Sequence, residues 1–166
     1  LSNNETVPTL EDTLNLINGR VPVLLEIKYS KLIKKNIEIF TRVLAEKLEN
    51  YKGPLALMSF SSDLMKYISK SNLFKNFPLG LTTSFPKRET LANNIKNNKI
   101  ESEIISNKLQ FISQDWKGIK NSRIKRLKKL DIAILSWTIT SKEIEKGLED
   151  LVDNITFESY EPEIRK

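Results

Sequence analysis

Short apolar segments alternate with longer amphipathic ones along nearly the whole chain, which predicts strands separated by helices. The predicted strands are Val21–Lys28, Leu55–Phe60, Pro78–Thr82, Leu109–Ser113, Ile132–Thr140 and Asn154–Phe157. The predicted helices are Leu10–Asn18, Lys31–Tyr51, Ser61–Ser71, Glu89–Ser106, Asn121–Leu130 and Ser141–Leu151. Thr9 and Asp12 have the spacing of a capping box at the start of the first helix. The pattern therefore predicts six strands with a helix between each pair.

This alternation predicts an α/β fold whose parallel strands are joined by right-handed crossovers. The apolar run Ala133-Ile134-Leu135 is typical of a strand that is covered on both faces. No glycine-rich phosphate loop follows a predicted strand, which disfavours the dinucleotide-binding and P-loop folds. Six strand–helix units are compatible with a doubly wound sheet or with part of an eight-stranded barrel, and periodicity leaves both open.

Composition favours one globular domain over residues 1–166. Hydrophobic residues make up 39% of the chain and charged residues 29%, a balance that excludes a disordered chain. No apolar run approaches the roughly 18–20 residues of a membrane-spanning helix, so we expect no stable membrane insertion. The first residues show no leader peptide, and on that ground we expect a cytoplasmic protein.

The net charge of +6 raises the question of a nucleic-acid partner. The segment Lys117–Lys129 contains Lys120, Arg123, Lys125, Arg126, Lys128 and Lys129 besides its first residue. Its apolar residues have helical spacing, which favours a helix with a solvated basic outer face. Trp116 is the only aromatic residue nearby that could stack on a base, so we expect no nucleic-acid partner.

One predicted strand ends with an acid and a base on the same face. Strand alternation places Leu24, Glu26 and Lys28 on one side, and active sites of α/β barrels lie at the carboxyl ends of their strands. A buried carboxylate is costly unless it is paired or binds a metal. Spacing alone leaves two interpretations open, namely a structural ion pair and a metal- or ligand-binding corner.

Two aromatic residues near strand ends are further candidates. Phe60 follows Ser59 at the end of the second strand, where it could line a pocket, while Ser61 and Ser62 have the position of helix caps. Trp137 shares a face with Ala133 and Leu135. Trp137 could line a ligand pocket at a barrel mouth or belong to the core, and its pattern favours the core.

Several segments together resemble the glycerophosphodiester phosphodiesterase family. Each motif is weak alone, but their order and spacing agree with the family over nearly the whole chain. The segments are Pro8–Leu14, Val23–Lys28 with its Glu-Ile-Lys end, Met58–Ser61, Pro78–Leu81, the Trp-Thr segment Ser136–Ile139, and Val152–Glu158.

The resemblance implies a (β/α)8 TIM barrel of which strands three to eight are present. It implies hydrolysis of glycerophosphodiesters to glycerol 3-phosphate and an alcohol, with Mg²⁺ or Ca²⁺ as cofactor and a small-molecule glycerophosphodiester as partner. In the family pattern Glu26 is a metal ligand and Lys28 faces the substrate phosphate. Trp137 then lines the substrate pocket, for which Phe60 is a further candidate.

The chain departs from that family pattern in its acid–base chemistry. It contains no histidine, so no catalytic residue of the family's His-Arg-Gly and His-Asp motifs is present, and the Glu-x-Asp metal pair is also missing. It contains no cysteine either, which excludes a thiolate nucleophile. We therefore expect a phosphodiesterase portion that is inactive alone. The alternative is a non-catalytic partial barrel that binds a phosphate-bearing ligand.

Overall fold

A computed structural model describes residues 6–162 and contains one six-stranded sheet in that part of the chain. The strands are β1 (Val23–Glu26), β2 (Leu55–Ser59), β3 (Leu79–Thr83), β4 (Phe111–Asp115), β5 (Ala133–Ile139) and β6 (Asn154–Phe157). The helices are α1 (Leu10–Ile17), α2 (Lys31–Lys35), α3 (Ile37–Leu48), α4 (Ser62–Ser69), α5 (Leu91–Ser106), α6 (Ser122–Lys129) and α7 (Lys142–Lys146). None of these described helices is both long and apolar enough to cross a bilayer.

Neighbouring strands in the sheet are also consecutive along the chain. The order is β1-β2-β3-β4-β5-β6, and all five pairs are parallel. A doubly wound sheet reverses its strand order at one point, whereas a barrel adds each strand beside the previous one. The observed order therefore excludes the doubly wound alternative. Right-handed crossovers in this order place the helices on one face and leave the other face free.

The hydrophobic core lies between the sheet and its helices. Leu57, Ile112 and Ile134 point from the sheet into this core and are completely buried. The next residue of each strand points to the opposite, inner face of the curled sheet. On that inner face Gly80 pairs with Phe111, and a Cβ at Gly80 would lie 2.2 Å from the Phe111 ring. Only glycine leaves room there for that aromatic ring.

Two predicted helices are shorter than the sequence pattern indicated. The predicted helix Lys31–Tyr51 is divided at Asn36, whose backbone is not helical (φ −127°, ψ 34°). The Asn36 side chain donates to the Leu32 carbonyl oxygen at 3.1 Å, a local hydrogen bond that competes with helix continuation. The helix predicted over Ser141–Leu151 ends at Lys146, where Gly147 forms its C-cap.

A buried arginine joins α5 to α6. Arg123 on α6 is only 3% exposed, and its Nε donates to Glu89 Oε1 at 2.9 Å. Its Nη1 donates to Glu101 Oε2 at 2.6 Å and to Asn98 Oδ1 at 2.7 Å, and Nη2 donates to Asn94 Oδ1. These contacts satisfy a charge that would otherwise be costly to bury. We call this set of five residues the Arg123 clamp.

The clamp corrects, for Arg123, the prediction that the basic residues of Lys117–Lys129 lie on a solvated outer face. Arg123 faces inward, and Arg126 donates to both oxygens of Glu101 at 2.8 Å. Lys125 and Lys129 on the same helix are exposed, as the sequence predicted. Along its sixteen residues, α5 buries only one apolar side chain, Ile104. The two arginines of α6 therefore hold α5 in place through polar contacts.

Replacing the buried guanidinium should destabilise the fold strongly. We expect Arg123→Ala to lower the free energy of unfolding by about 3 kcal/mol, because it removes the ion-pair partner of the partly buried Glu89 carboxylate and one of the two arginines that pair with Glu101. Lys125→Ala is the matched control, since this exposed lysine on the same helix should contribute less than about 0.5 kcal/mol. Chemical denaturation of both variants measures the difference. Equal stability of the two variants would contradict the clamp.

Acid should weaken the clamp. The hydrogen bond from Arg126, together with that from Arg123, holds the pKa of the Glu101 carboxyl below its usual range despite partial burial. A carboxyl with a lowered folded-state pKa stabilises the protein above its unfolded pKa and loses that contribution as the pH falls. We expect stability to decrease as the pH drops below about 4.3, the usual glutamate pKa. Unfolding curves from pH 7 to 3 should be less pH-dependent for Glu101→Gln.

Candidate functional site

The candidate residues come together at the carboxyl end of the sheet. Glu26 is the last residue of β1, and Lys28 follows it by two positions; their side chains are joined by an ion pair of 2.5 Å between Lys28 Nζ and Glu26 Oε1. Lys28 Nζ also lies 5.7 Å from the centre of the Phe60 ring, just after β2. Phe60 in turn contacts Trp137 of β5, so the four residues form one continuous group.

The Glu26–Lys28 pair is open to solvent on its basic side. The Lys28 side chain is 78% exposed and that of Glu26 is 24% exposed. An ion pair with so much solvent contact adds little to stability, typically about 0–1 kcal/mol. The lysine ammonium therefore remains able to approach an anion, while the glutamate carboxylate is held beside it.

The two aromatic rings span the inner face of the curled sheet. Phe60 and Trp137 meet edge to face, with ring centres 5.4 Å apart. Their strands, β2 and β5, are separated by β3 and β4, a distance of about 14 Å in a flat sheet with strands about 4.8 Å apart. The Trp137 Nε1 donates to the Ser113 carbonyl oxygen on β4 at 2.8 Å, which orients the indole toward Phe60. Half-buried Trp137 thus lies on the inner face, apart from the helix-covered core.

A small cavity opens beside the ion pair. It has a volume of about 370 Å³ and is lined by Glu26, Lys28, Phe60, Tyr29 and Ser61. At the edge of this cavity, the hydroxyl of buried Ser59 donates to the Ile27 carbonyl oxygen at 2.7 Å. This bond joins the ends of β1 and β2. Phe60, a candidate pocket residue from the sequence, lies at this cavity, and Ser61 caps α4 as expected.

Three further polar residues near the site were not identified from sequence. Tyr29 lines the cavity, and no pattern in the sequence distinguishes it from an ordinary loop residue. Thr82 and Ser113 are register partners on the inner face, and their buried hydroxyls have no hydrogen-bond partner within residues 6–162. Alternation along β3 and β4 could have indicated this pair, because both strands place a hydroxyl on the face opposite the core.

The described residues do not form a complete metal site. Glu26 offers carboxylate oxygens, which Mg²⁺ and Ca²⁺ prefer. Within residues 6–162, however, no group of three or more acidic, histidine or cysteine side chains is placed to hold a metal ion. A single carboxylate fits only part of the coordination shell of such an ion.

Solved structures of phosphodiesterases have the same arrangement of strands and helices. A glycerophosphodiester phosphodiesterase from Parabacteroides distasonis matches with a TM-score of 0.71 and 19% identity, over 95% of this chain and 62% of that chain. An Oleispira antarctica phosphodiesterase in complex with the product sn-glycerol-3-phosphate matches with a TM-score of 0.69 and 15% identity, over 90% of this chain and 57% of that chain. A glycerophosphodiester phosphodiesterase from Thermotoga maritima matches with a TM-score of 0.63 and 16% identity, over 90% of this chain and 59% of that chain.

The chain has the fold of glycerophosphodiester phosphodiesterases. The resemblance that the sequence motifs indicated is thus confirmed at the level of the fold, and so is its α/β barrel type. The chain spans between 57% and 62% of the lengths of these three solved structures. By sequence alone, no family model and no curated protein matches it significantly.

The contact between the two aromatic rings can be measured in solution. We expect Phe60→Ala and Trp137→Ala to show a coupling free energy of about 0.5–1.5 kcal/mol in a double-mutant cycle, because each substitution removes the same edge-to-face contact. Urea unfolding of the wild type, both single variants and the double variant gives this energy. Strictly additive effects would mean that the rings do not meet.

Proposed function

We propose that this chain is part of a phosphoric diester hydrolase that acts on glycerophosphodiesters and releases glycerol 3-phosphate and an alcohol. The grouping of Glu26, Lys28, Phe60 and Trp137 at the carboxyl end of a barrel-type sheet supports this proposal most directly. The Oleispira antarctica structure adds support, since that phosphodiesterase has the same fold and holds sn-glycerol-3-phosphate. In this proposal, β1 to β6 correspond to strands three to eight of an eight-stranded barrel.

Lys28 is the proposed contact to the substrate phosphate. Its exposed ammonium can add positive charge where negative charge develops on the phosphoryl oxygens, an effect that enzymes use to lower reaction barriers. Glu26 holds this ammonium at 2.5 Å before substrate binds. The pair therefore limits the positions that Lys28 samples, and a bound phosphate competes with Glu26 for the same ammonium.

Phe60 and Trp137 form the proposed wall of the substrate pocket. Phe60 is 51% exposed although it is aromatic, and it lies between the lysine and the indole. Aromatic side chains exclude water next to a bound ligand and pack against its carbon atoms. In this proposal, the two rings pack against the carbon skeleton of the substrate, next to the phosphate at Lys28.

Glu26 is also the proposed ligand, from this chain, to a divalent metal such as Mg²⁺ or Ca²⁺. Such an ion, when bound, would polarise a phosphoryl oxygen. Because Glu26 is the one acidic residue that lines this cavity among the described residues, we propose that the other protein ligands come from outside residues 6–162. Loss of Glu26 should therefore weaken metal binding without removing the remaining ligands.

Hydrolysis also requires proton transfer. Water adds to phosphorus and gives up a proton, the bond from phosphorus to the alcohol oxygen breaks, and the departing alcohol takes up a proton. The chain has no histidine to exchange these protons. We propose that the acid–base groups lie outside residues 1–166 and that this segment does not turn over substrate alone.

An activity assay separates the parts of this proposal. With glycerophosphocholine and Mg²⁺, residues 1–166 should give no turnover above background, whereas a longer natural chain with histidines upstream should hydrolyse it. In that longer chain, Lys28→Ala should lower kcat/KM about 10²-fold, a loss similar to removal of one oxyanion donor. Lys66→Ala, at an exposed lysine on α4, is the control and should leave the rate unchanged.

Two outcomes of this assay would contradict the proposal. Clear turnover by residues 1–166 that Glu26→Gln abolishes would show that the acid–base groups lie within the segment. An inactive longer chain that still binds sn-glycerol-3-phosphate through Lys28 would instead support a non-catalytic, phosphate-binding barrel.

A further inference from the structure

A second pocket lies on the rim of the sheet and shares no residue with the Glu26 cavity. It is formed by the loop after β3, the 3-10 turn Trp116–Gly118 after β4, and α7 after β5. Its volume is about 390 Å³, within the range of roughly 300–1,000 Å³ that is usual for small-molecule sites. We call it the α7 pocket.

The floor of the α7 pocket is apolar and continuous with the hydrophobic core. Ile119 and Leu148 line it and are only 5% and 4% exposed. Trp116 and Ile144 complete the floor, and both pack against the same core. A floor fixed by core packing exists before any ligand arrives, so its apolar surface is available without rearrangement.

The rim of the α7 pocket is basic. Lys87, Lys117 and Lys120 line it and are exposed, and none of them forms an ion pair with another residue of the range 6–162. Glu143 is the one acidic residue that lines the pocket. Three lysines and one glutamate give the rim a net charge of +2. Long lysine side chains can place their ammonium groups over such a floor while remaining hydrated.

We propose that the α7 pocket binds a small amphiphile that has an anionic head and an apolar body, such as a medium-chain carboxylate. The apolar floor takes the body of the ligand, and the three lysines pair with its head. A bare phosphate would leave the floor unused, and an uncharged apolar molecule would leave the lysines unpaired. The proposal does not depend on the phosphodiesterase function, because the two cavities have no residue in common.

Octanoate, below its micelle-forming concentration, is a suitable probe. The chain has two tryptophans, Trp116 in the floor and Trp137 at the other site, so binding should change the Trp116 emission. We expect a saturable change with octanoate in the wild type and its loss in Trp116→Phe. Octan-1-ol and octyltrimethylammonium are the matched ligands without a charge and with the opposite charge, and both should bind at least about tenfold more weakly.

Two variants test the rim and the floor separately. We expect the triple variant Lys87→Ala, Lys117→Ala, Lys120→Ala to raise the octanoate Kd about tenfold. The control is the triple variant Lys66→Ala, Lys125→Ala, Lys129→Ala, which removes the same charge from exposed positions outside the pocket.

The floor variant is Gly147→Phe, at a glycine that lines the pocket, and it should fill the pocket and abolish binding with all three lysines retained. The fold should tolerate it, because a Cβ at Gly147 meets its nearest atoms at 3.5 Å, an ordinary contact.

Three results would overturn the proposal. Equal responses to the three octyl compounds would show that the lysines do not select the ligand. An unchanged Kd in the Gly147→Phe variant, with its fold confirmed by circular dichroism, would place binding elsewhere. A response to vesicles of anionic lipid, without any response to monomeric octanoate, would indicate a membrane-contacting surface in place of a small-molecule site.

Discussion

The unbroken series of parallel strand pairs from β1 to β6 is the constraint on which the other features of the molecule depend. Because each strand pairs with the one before it, every crossover covers the same face, and the hydrophobic core forms on that side alone. These crossovers do not cover the opposite, inner face. The carboxyl ends of all six strands meet at one edge of the sheet. Glu26, Phe60 and Trp137 lie at that edge or on that inner face for this reason.

Local patterns in the sequence predicted most of the secondary structure. All six strands are present, and the capping box of Thr9 and Asp12 forms with both of its hydrogen bonds. The strand order could not be predicted, because it depends on which strands pair and not on periodicity. The burial of Arg123 was also missed, since a basic residue on an amphipathic helix is ordinarily solvated. Its partners are asparagines and glutamates of the polar helix α5, which have no apolar periodicity to indicate a packed face.

The candidate site was predicted in its composition but not in its contacts. Strand alternation placed Glu26 and Lys28 on one face, and the motifs added Phe60 and Trp137. Their proximity depends on the curl of the sheet, which brings the rings of β2 and β5 to 5.4 Å. Trp137 illustrates the limit of pattern analysis, because its alternation with Ala133 and Leu135 favoured the core. A residue on the inner face of a curled sheet has the same periodicity as one packed under helices.

The consecutive strand order also makes the molecule divisible. A boundary between any two strand–helix units interrupts one strand pair and leaves the hydrogen-bonded pairing on each side intact. No connection between strands passes over another in this order. Strand–helix units can therefore be gained or exchanged between genes without a change in the path of the remaining chain. Such a sheet can be inherited, duplicated and recombined in pieces, and residues that meet at its carboxyl edge can then come from segments with separate evolutionary histories.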